Sequence, residues 1–413
     1  MPVLTAHLLF SVTLAGFVVA HAQEAIRVDP AQDSPLSSFR QALNSAWKRS
    51  LQASEARGRN LRAQADQQVS ERWLAGPVAL RLGEREVLAN GSASSRETDF
   101  GLALPLWRLG QRDAAGQAAQ SQSVWTQAFE QAERLRLAGL LRDAIAAVHL
   151  ADVDLQQALQ QAEAFGMLAR DVQRRVKAGD LAPADDLAAR SESLTAQAQV
   201  SAAREELALQ QSNWRLLTGM DPLRLHLSEA PVMSPLPDSH PELLLAHAAV
   251  DLGQRRAAVA RIQQTDAPEL NLGLRQDRIW QGTAIQNSLA LAVRIPIGGE
   301  VYKQPRIAAA LGELDAAQTQ AERVRERLLA QLAQRQSQLM QSQSLLLIAR
   351  ERASLLRDRA RLIDKSFRAG ETALPEMLRA LAAAASAETA YARQQINHQW
   401  AISRLEQAMG LLP

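Results

Sequence analysis

Val176–Leu187 reads VKAGDLAPADDL, and Phe367–Leu378 reads FRAGETALPEML. The two stretches lie 191 residues apart, and the same offset carries Pro77 to Pro268, Pro105 to Pro296, Gly179 to Gly370 and Gly219 to Gly410 without a gap. LALPL at 102–106 likewise falls on VRIPI at 293–297. A constant offset of this kind settles the architecture before any local assignment, since each copy must fold as one unit. The chain therefore reads as two copies, 37–220 and 242–413, joined by 221–241. Five prolines in that connector (Pro222, Pro231, Pro235, Pro237 and Pro241) keep it from being helical throughout.

Within each copy the pattern is helix, strand, strand, very long helix, shorter helix. The proline-free stretches 106–182 and 306–374 are rich in Ala, Gln, Leu, Glu and Arg, which favour helix. They predict long helices at about 110–177 and 303–368, followed by shorter ones at about 182–218 and 373–410. Leu137, Leu141, Ile145, Val148, Leu155, Leu159 and Ala162 recur at spacings that form a coiled-coil-like seam. A helix of roughly 65 residues extends about 100 Å, too long to fold into a compact globule.

Between the helices the period changes to two, predicting strands at about 77–83, 98–106, 268–275 and 287–296. Leu80, Leu82, Phe100, Leu102, Leu104, Leu270, Leu272, Leu274, Leu289, Leu291 and Val293 fall on one side. Arg81, Asp99, Asn271, Arg275 and Arg294 fall on the other, among small residues. Asn90-Gly91-Ser92 and Trp280-Gln281-Gly282-Thr283 read as the hairpin loops. Two arrangements fit this alternation. In one, the apolar side packs on helices and the hairpins cap a soluble bundle. In the other, the apolar side meets lipid and the polar residues line a lumen. On the second, four strands cannot close by themselves, and unpaired strand edges in hydrocarbon cost several kcal/mol per group. Three chains would supply twelve strands and leave room for a channel.

The ends and the composition bear on that choice. Leu8–Ala20 (LLFSVTLAGFVVA) is an uncharged apolar run followed by Ala20-His21-Ala22, so residues 1–22 read as a signal peptide and 23–36 as a leader. The segment before Leu8 lacks the basic residues such peptides usually carry. No later stretch has the length of a transmembrane helix, so contact with a membrane falls to the strands. There are no cysteines, which excludes disulfides and thiolate metal sites. Forty-six basic residues against 44 acidic ones, interspersed, leave no basic patch for nucleic acid. The seven histidines form no metal-binding spacing, and no catalytic signature is present, so the sequence reads as no enzyme, with no cofactor and no metal site. Trp73, Trp107 and Trp280 lie near strand ends, where an interfacial belt would place them.

The paired strand ends LALPLWRLGQRDAA and VRIPIGGEVYKQPR, the Ala-Gly turns at 178–187 and 369–378, and the closing LLTG (216–219) and AMG (408–410) resemble the TolC-like outer-membrane efflux proteins. The resemblance spans the mature chain and is nearest the heavy-metal efflux branch, similar to CzcC. It implies a mainly α protein with a small membrane β-barrel: a homotrimer whose twelve-stranded barrel in outer-membrane lipid continues into an α-helical periplasmic tunnel. It further implies a passive exit duct in a tripartite efflux system, docking on a periplasmic adaptor (membrane fusion protein) and an inner-membrane pump of RND type. A duct for type I protein secretion, or a soluble periplasmic coiled-coil scaffold, are the alternatives. The family places acidic residues at a constriction in the second turn. By motif position the first falls on Glu376 and the next on Arg379, a departure that implies a weaker cation preference or an internal Glu376–Arg379 pair. Asp185 is the first-copy equivalent of Glu376, with Asp186 beside it. Acids in a first helical turn are also ordinary helix chemistry. Gly179 and Gly370 are expected to permit the turns.

Overall fold

A computed structural model describes residues 35–89, 92–222, 234–263, 267–278, 284–298 and 300–413. The signal-peptide reading, most of the leader, much of the proline-rich connector and the Trp280–Thr283 loop lie outside the described residues.

The element order is α1 (Pro35–Arg49), α2 (Leu51–Glu71), β1 (Ala79–Ala89), β2 (Ser92–Pro105), α3 (Gln111–Ala178), α4 (Pro183–Thr218), α5 (Pro241–Ile262), β3 (Glu269–Arg278), β4 (Gln286–Arg294), α6 (Glu300–Arg368) and α7 (Leu374–Ala408). Helices α3 and α6 run for 68 and 69 residues, which is about 100 Å each. Helix α6 starts three residues before the predicted boundary and carries Pro305 in its second turn, where the ring removes one backbone donor. The first copy breaks its leading helix at Ser50, whose hydroxyl accepts from the Ala53 amide at 3.1 Å and caps α2.

The short turns after α3 and α6 fold α4 and α7 back along them, giving two long helical hairpins. Helix α2 packs on α3, α5 lies between α3 and α6, and α7 also touches α3. The core is a series of clusters strung along this bundle. One surrounds Trp214 and Leu141 where α1, α3 and α4 meet. Another joins Leu332, Leu339, Ile402 and Leu405 of α6 and α7. A third, with Leu168, Val172, Phe367, Leu374 and Met377, ties the two hairpins together near their tips.

The predicted seam on α3 holds through Leu141, Ile145 and Val148, which are buried, with Leu137 packed against them. Beyond that the buried line moves to Ala151, Ala158, Phe165 and Val172, leaving Leu159 exposed. A strict seven-residue spacing keeps these four on one seam of a supercoiled hairpin. The two alanines among them allow neighbouring helices to approach closely.

The four strands form one antiparallel sheet in the order β1-β2-β3-β4, so the two copies meet at β2 and β3. Strands β1 and β2 extend past the predicted ends, pairing as far as Ala89 with Ser92. Their outer parts carry polar residues on both sides, such as Glu86 opposite Arg96 on one and Arg85 opposite Glu97 on the other, so alternation does not reveal them. At the inner end prolines close the strands while their carbonyls still accept. Ala75 N–H donates to Pro105 at 3.0 Å and Leu106 N–H to Pro268 at 2.7 Å. The Arg108 guanidinium reaches the Pro296 carbonyl at 3.3 Å. The landmarks Pro105 and Pro296 thus stitch the sheet to the roots of the long helices.

Candidate functional site: the two faces of the sheet and the helical tips

Residues paired across an antiparallel sheet share a face. The register puts Leu80, Leu102, Leu272 and Leu291 in one row, and Leu82, Phe100, Leu274 and Leu289 in the next. Leu104, Leu270 and Val293 make a third. Among the described residues no helix covers these rows, since the strands pack substantially only on one another; Leu289 is 88% exposed. The arrangement with hairpins packed on a helical bundle is therefore not the one adopted. Burying one such side chain contributes about 1.5–3 kcal/mol, so leaving this face in water forgoes on the order of 10 kcal/mol.

The opposite face holds the predicted polar residues, and the structure brings them together. Arg275 contacts Asp99 at 2.9 Å and Glu97 at 2.6 Å. Arg81 donates to Glu269 at 2.9 Å, with Arg294 at 3.8 Å from the same carboxylate. Asn271 sits between Ala103 and Ala292 in its row. Sequence reasoning missed Glu97 and Glu269, the acids that complete these pairs. Glu97 lies in the outer part of β2, where alternation is silent, and Glu269 is the first residue of β3. Basic residues on this face (Arg81, Arg85, Arg275, Arg294) are matched by Glu97, Asp99, Glu269 and Asp277, so the face is polar without net charge.

At the far end of the bundle Gly179 and Gly370 take φ of 90° and 79°. In this left-handed region a side chain is strained and glycine is favoured. Backbone bonds from Asp180 to Arg175 (2.9 Å) and from Glu371 to Ser366 (3.0 Å) close the two turns alike. Asp185 accepts from the Ala182 amide at 3.2 Å and caps α4; Asp186 lies 3.7 Å from Arg190. Both stand in the first turn of α4, where carboxylates are favoured. The internal Glu376–Arg379 pair does not form. Glu376 lies 4.0 Å from Arg359 on α6, while the Arg379 guanidinium turns back to the Pro375 carbonyl at 3.1 Å. Arg379 thus bonds the backbone one turn back on its own helix and not the carboxylate.

No protein-family model and no curated protein matches this chain. Solved structures do. The outer membrane protein VceC of Vibrio cholerae superposes with a TM-score of 0.73 at 14% identity, covering 91% of this chain and 96% of its own. The Campylobacter jejuni CmeC outer membrane channel gives 0.74 at 13%, covering 97% and 93%. CusC, described through its folding and transmembrane channel formation, gives 0.74 at 13%, covering 90% and 92%. The fold is that of the TolC-like outer-membrane channels.

Within this TolC-like fold a cavity of about 570 Å³ opens near the tips between the two hairpins, lined by Gln161, Asp171, Arg174, Arg357, Phe367 and Glu388 among others. A hydrogen bond from Arg174 at 2.8 Å, aided by the nearby Arg175, holds the Asp171 carboxyl below the usual carboxylate range despite partial burial. The Arg175 guanidinium lies 5.0 Å over the Phe367 ring and so bridges the hairpins. Among the described residues no helix is long and apolar enough to cross a membrane, and no cluster of side chains suited to holding a metal ion is present.

Proposed function

We propose that the chain is the outer-membrane channel component of a tripartite efflux system: a homotrimer whose sheets close into a twelve-stranded barrel, continued by a helical tunnel across the periplasm. One observation carries this reading. A four-stranded sheet bears an uncovered apolar face, a charge-paired polar face and two unpaired edges, β1 and β4. Each defect disappears if three sheets join edge to edge with the apolar side in lipid. The strands have 11, 14, 10 and 9 residues, and about 9–11 tilted residues cross a bilayer. Trp73, 90% exposed beside the strand roots, suits the membrane–water boundary.

On this reading transport is passive. An inner-membrane pump of RND type and a periplasmic adaptor deliver solutes, and the chain contributes an aqueous path. A soluble scaffold would leave the apolar face in water, and a type I secretion duct would use the same wall with a different pump. The test is membrane fractionation followed by gel mobility before and after boiling. Recovery with outer-membrane lipid and a heat-labile trimer band is expected. A monomer released without detergent would overturn the reading.

A further inference from the structure

We propose that the periplasmic mouth of this duct favours anions over cations, with Arg379 as the residue that sets the preference; the inference rests on the trimeric-channel reading above. Helix α7 packs through Leu374, Met377, Ala380, Ala384 and Ala387. Its exposed stripe near the tip runs Glu376, Arg379, Ala382, Ser386 and Ala390. In the proposed trimer this stripe would face the opening and, past Arg379, present only small side chains, so the two ionised groups at its start would weigh most on the local potential.

Those two are not equivalent. The charge of Glu376 is shared with Arg359, 4.0 Å away. Arg379 meets no carboxylate among the described residues and bonds only a neutral carbonyl. The surrounding charges do not offset it. Between Arg357 and Glu388 there are six basic and five acidic residues. Arg357 pairs with Glu388, Arg361 with Asp358, Arg368 with Asp364, and Arg359 with Glu376. Lys365 and Arg379 remain against Glu371. The first tip, Asp171 to Arg190, balances with four of each sign. Threefold symmetry would therefore ring the opening with an excess of positive charge. In a narrow pore with low-dielectric walls such a ring concentrates anions within a Debye length of about 8–10 Å. The paired polar face of the sheet has no net charge to reverse that bias. The cargo class this fits is anionic or neutral organic solutes, and it argues against metal cations.

The experiment is the reversal potential of the full-length trimer in planar bilayers across a KCl gradient. The wild type is expected to favour chloride by roughly twofold or more, Arg379→Gln to lose most of that preference, and Arg379→Glu to favour potassium. A cation-selective wild type overturns the proposal, as does an Arg379→Glu trimer of normal gel mobility whose selectivity is unaltered. Absence of any conductance overturns the channel reading itself, a distinct failure.

Discussion

Arg49 and His240 stand 191 residues apart and occupy the same joint in the two copies, each lying against a left-handed glycine where a helical hairpin ends. A Cβ on Gly219 would meet the Arg49 guanidinium at 3.1 Å, and one on Gly410 would meet the His240 ring at 2.6 Å and Pro241 at 2.9 Å. Arg49 reaches out to the Leu216 carbonyl at the end of α4, a favourable place for a cation. His240 is 2% exposed, and its Nδ1 accepts from the Glu242 amide at 3.2 Å, capping α5. The same backbone junction is thus closed once by a solvent-tolerant, permanently charged group and once by a buried neutral ring. Near Trp214 and Leu405, also equivalent and both fully buried, the copies differ in volume but not in role. Repetition conserves where a side chain goes, and each half chooses its own chemistry there.

The largest expected effects come from those two core positions. Trp214→Ala should cost about 4 kcal/mol and Leu405→Ala about 3 kcal/mol in denaturant midpoints of the detergent-solubilised protein. Trp214 also loses its bond to the Asp221 carbonyl. Costs under about 1 kcal/mol for either would show that the junctions do not share a structural role.

Next come the glycines. Both have positive φ, so an alanine costs about 1 kcal/mol at each from backbone strain. At Gly410 the neighbour is a buried ring that cannot retreat, and the total should reach about 3 kcal/mol. At Gly219 it is the far end of a flexible guanidinium. Equal losses would break the contrast.

The smaller effect is on pH. Burial, reinforced by Arg327 and opposed by Glu242, lowers the His240 pKa below the ordinary imidazole value. Its ring is then neutral in the fold and gains a proton more readily unfolded. The stability it confers is complete above about pH 6.5 and declines as the pH falls through that value towards the lower folded pKa. His240→Asn keeps a cap acceptor without a titrating ring, so it should flatten the acid limb of stability measured from pH 7.5 to 5. Arg49→Gln should leave that limb unchanged. Least of all, Arg275→Ala on the exposed polar sheet face should alter stability by under about 1 kcal/mol.

What the sequence made legible follows the same physics. Leu80, Leu82, Leu289 and Leu291 announce strands because one face of each is apolar and the other is not. Arg85, Glu86 and Glu97 do not, because both faces there are polar. Leu141 and Val148 reveal the α3 seam by size. Ala151 and Ala158 do not, since alanine is too abundant along this chain to mark a face. At the tips, Gly179 and Gly370 are readable because their turns demand them. The partner of Glu376 is not: Arg359 approaches from another helix, across a reversal of direction that spacing along the chain cannot measure.

The unpaired rims of β1 and β4 carry a genetic consequence. If three sheets complete the wall, as proposed above, every finished pore is the product of three polypeptides, and its integrity scales with the cube of the fraction of sound subunits. A variant whose β4 rim cannot dock should therefore act as a dominant poison when made alongside the normal protein, removing far more conductance than its share of the pool.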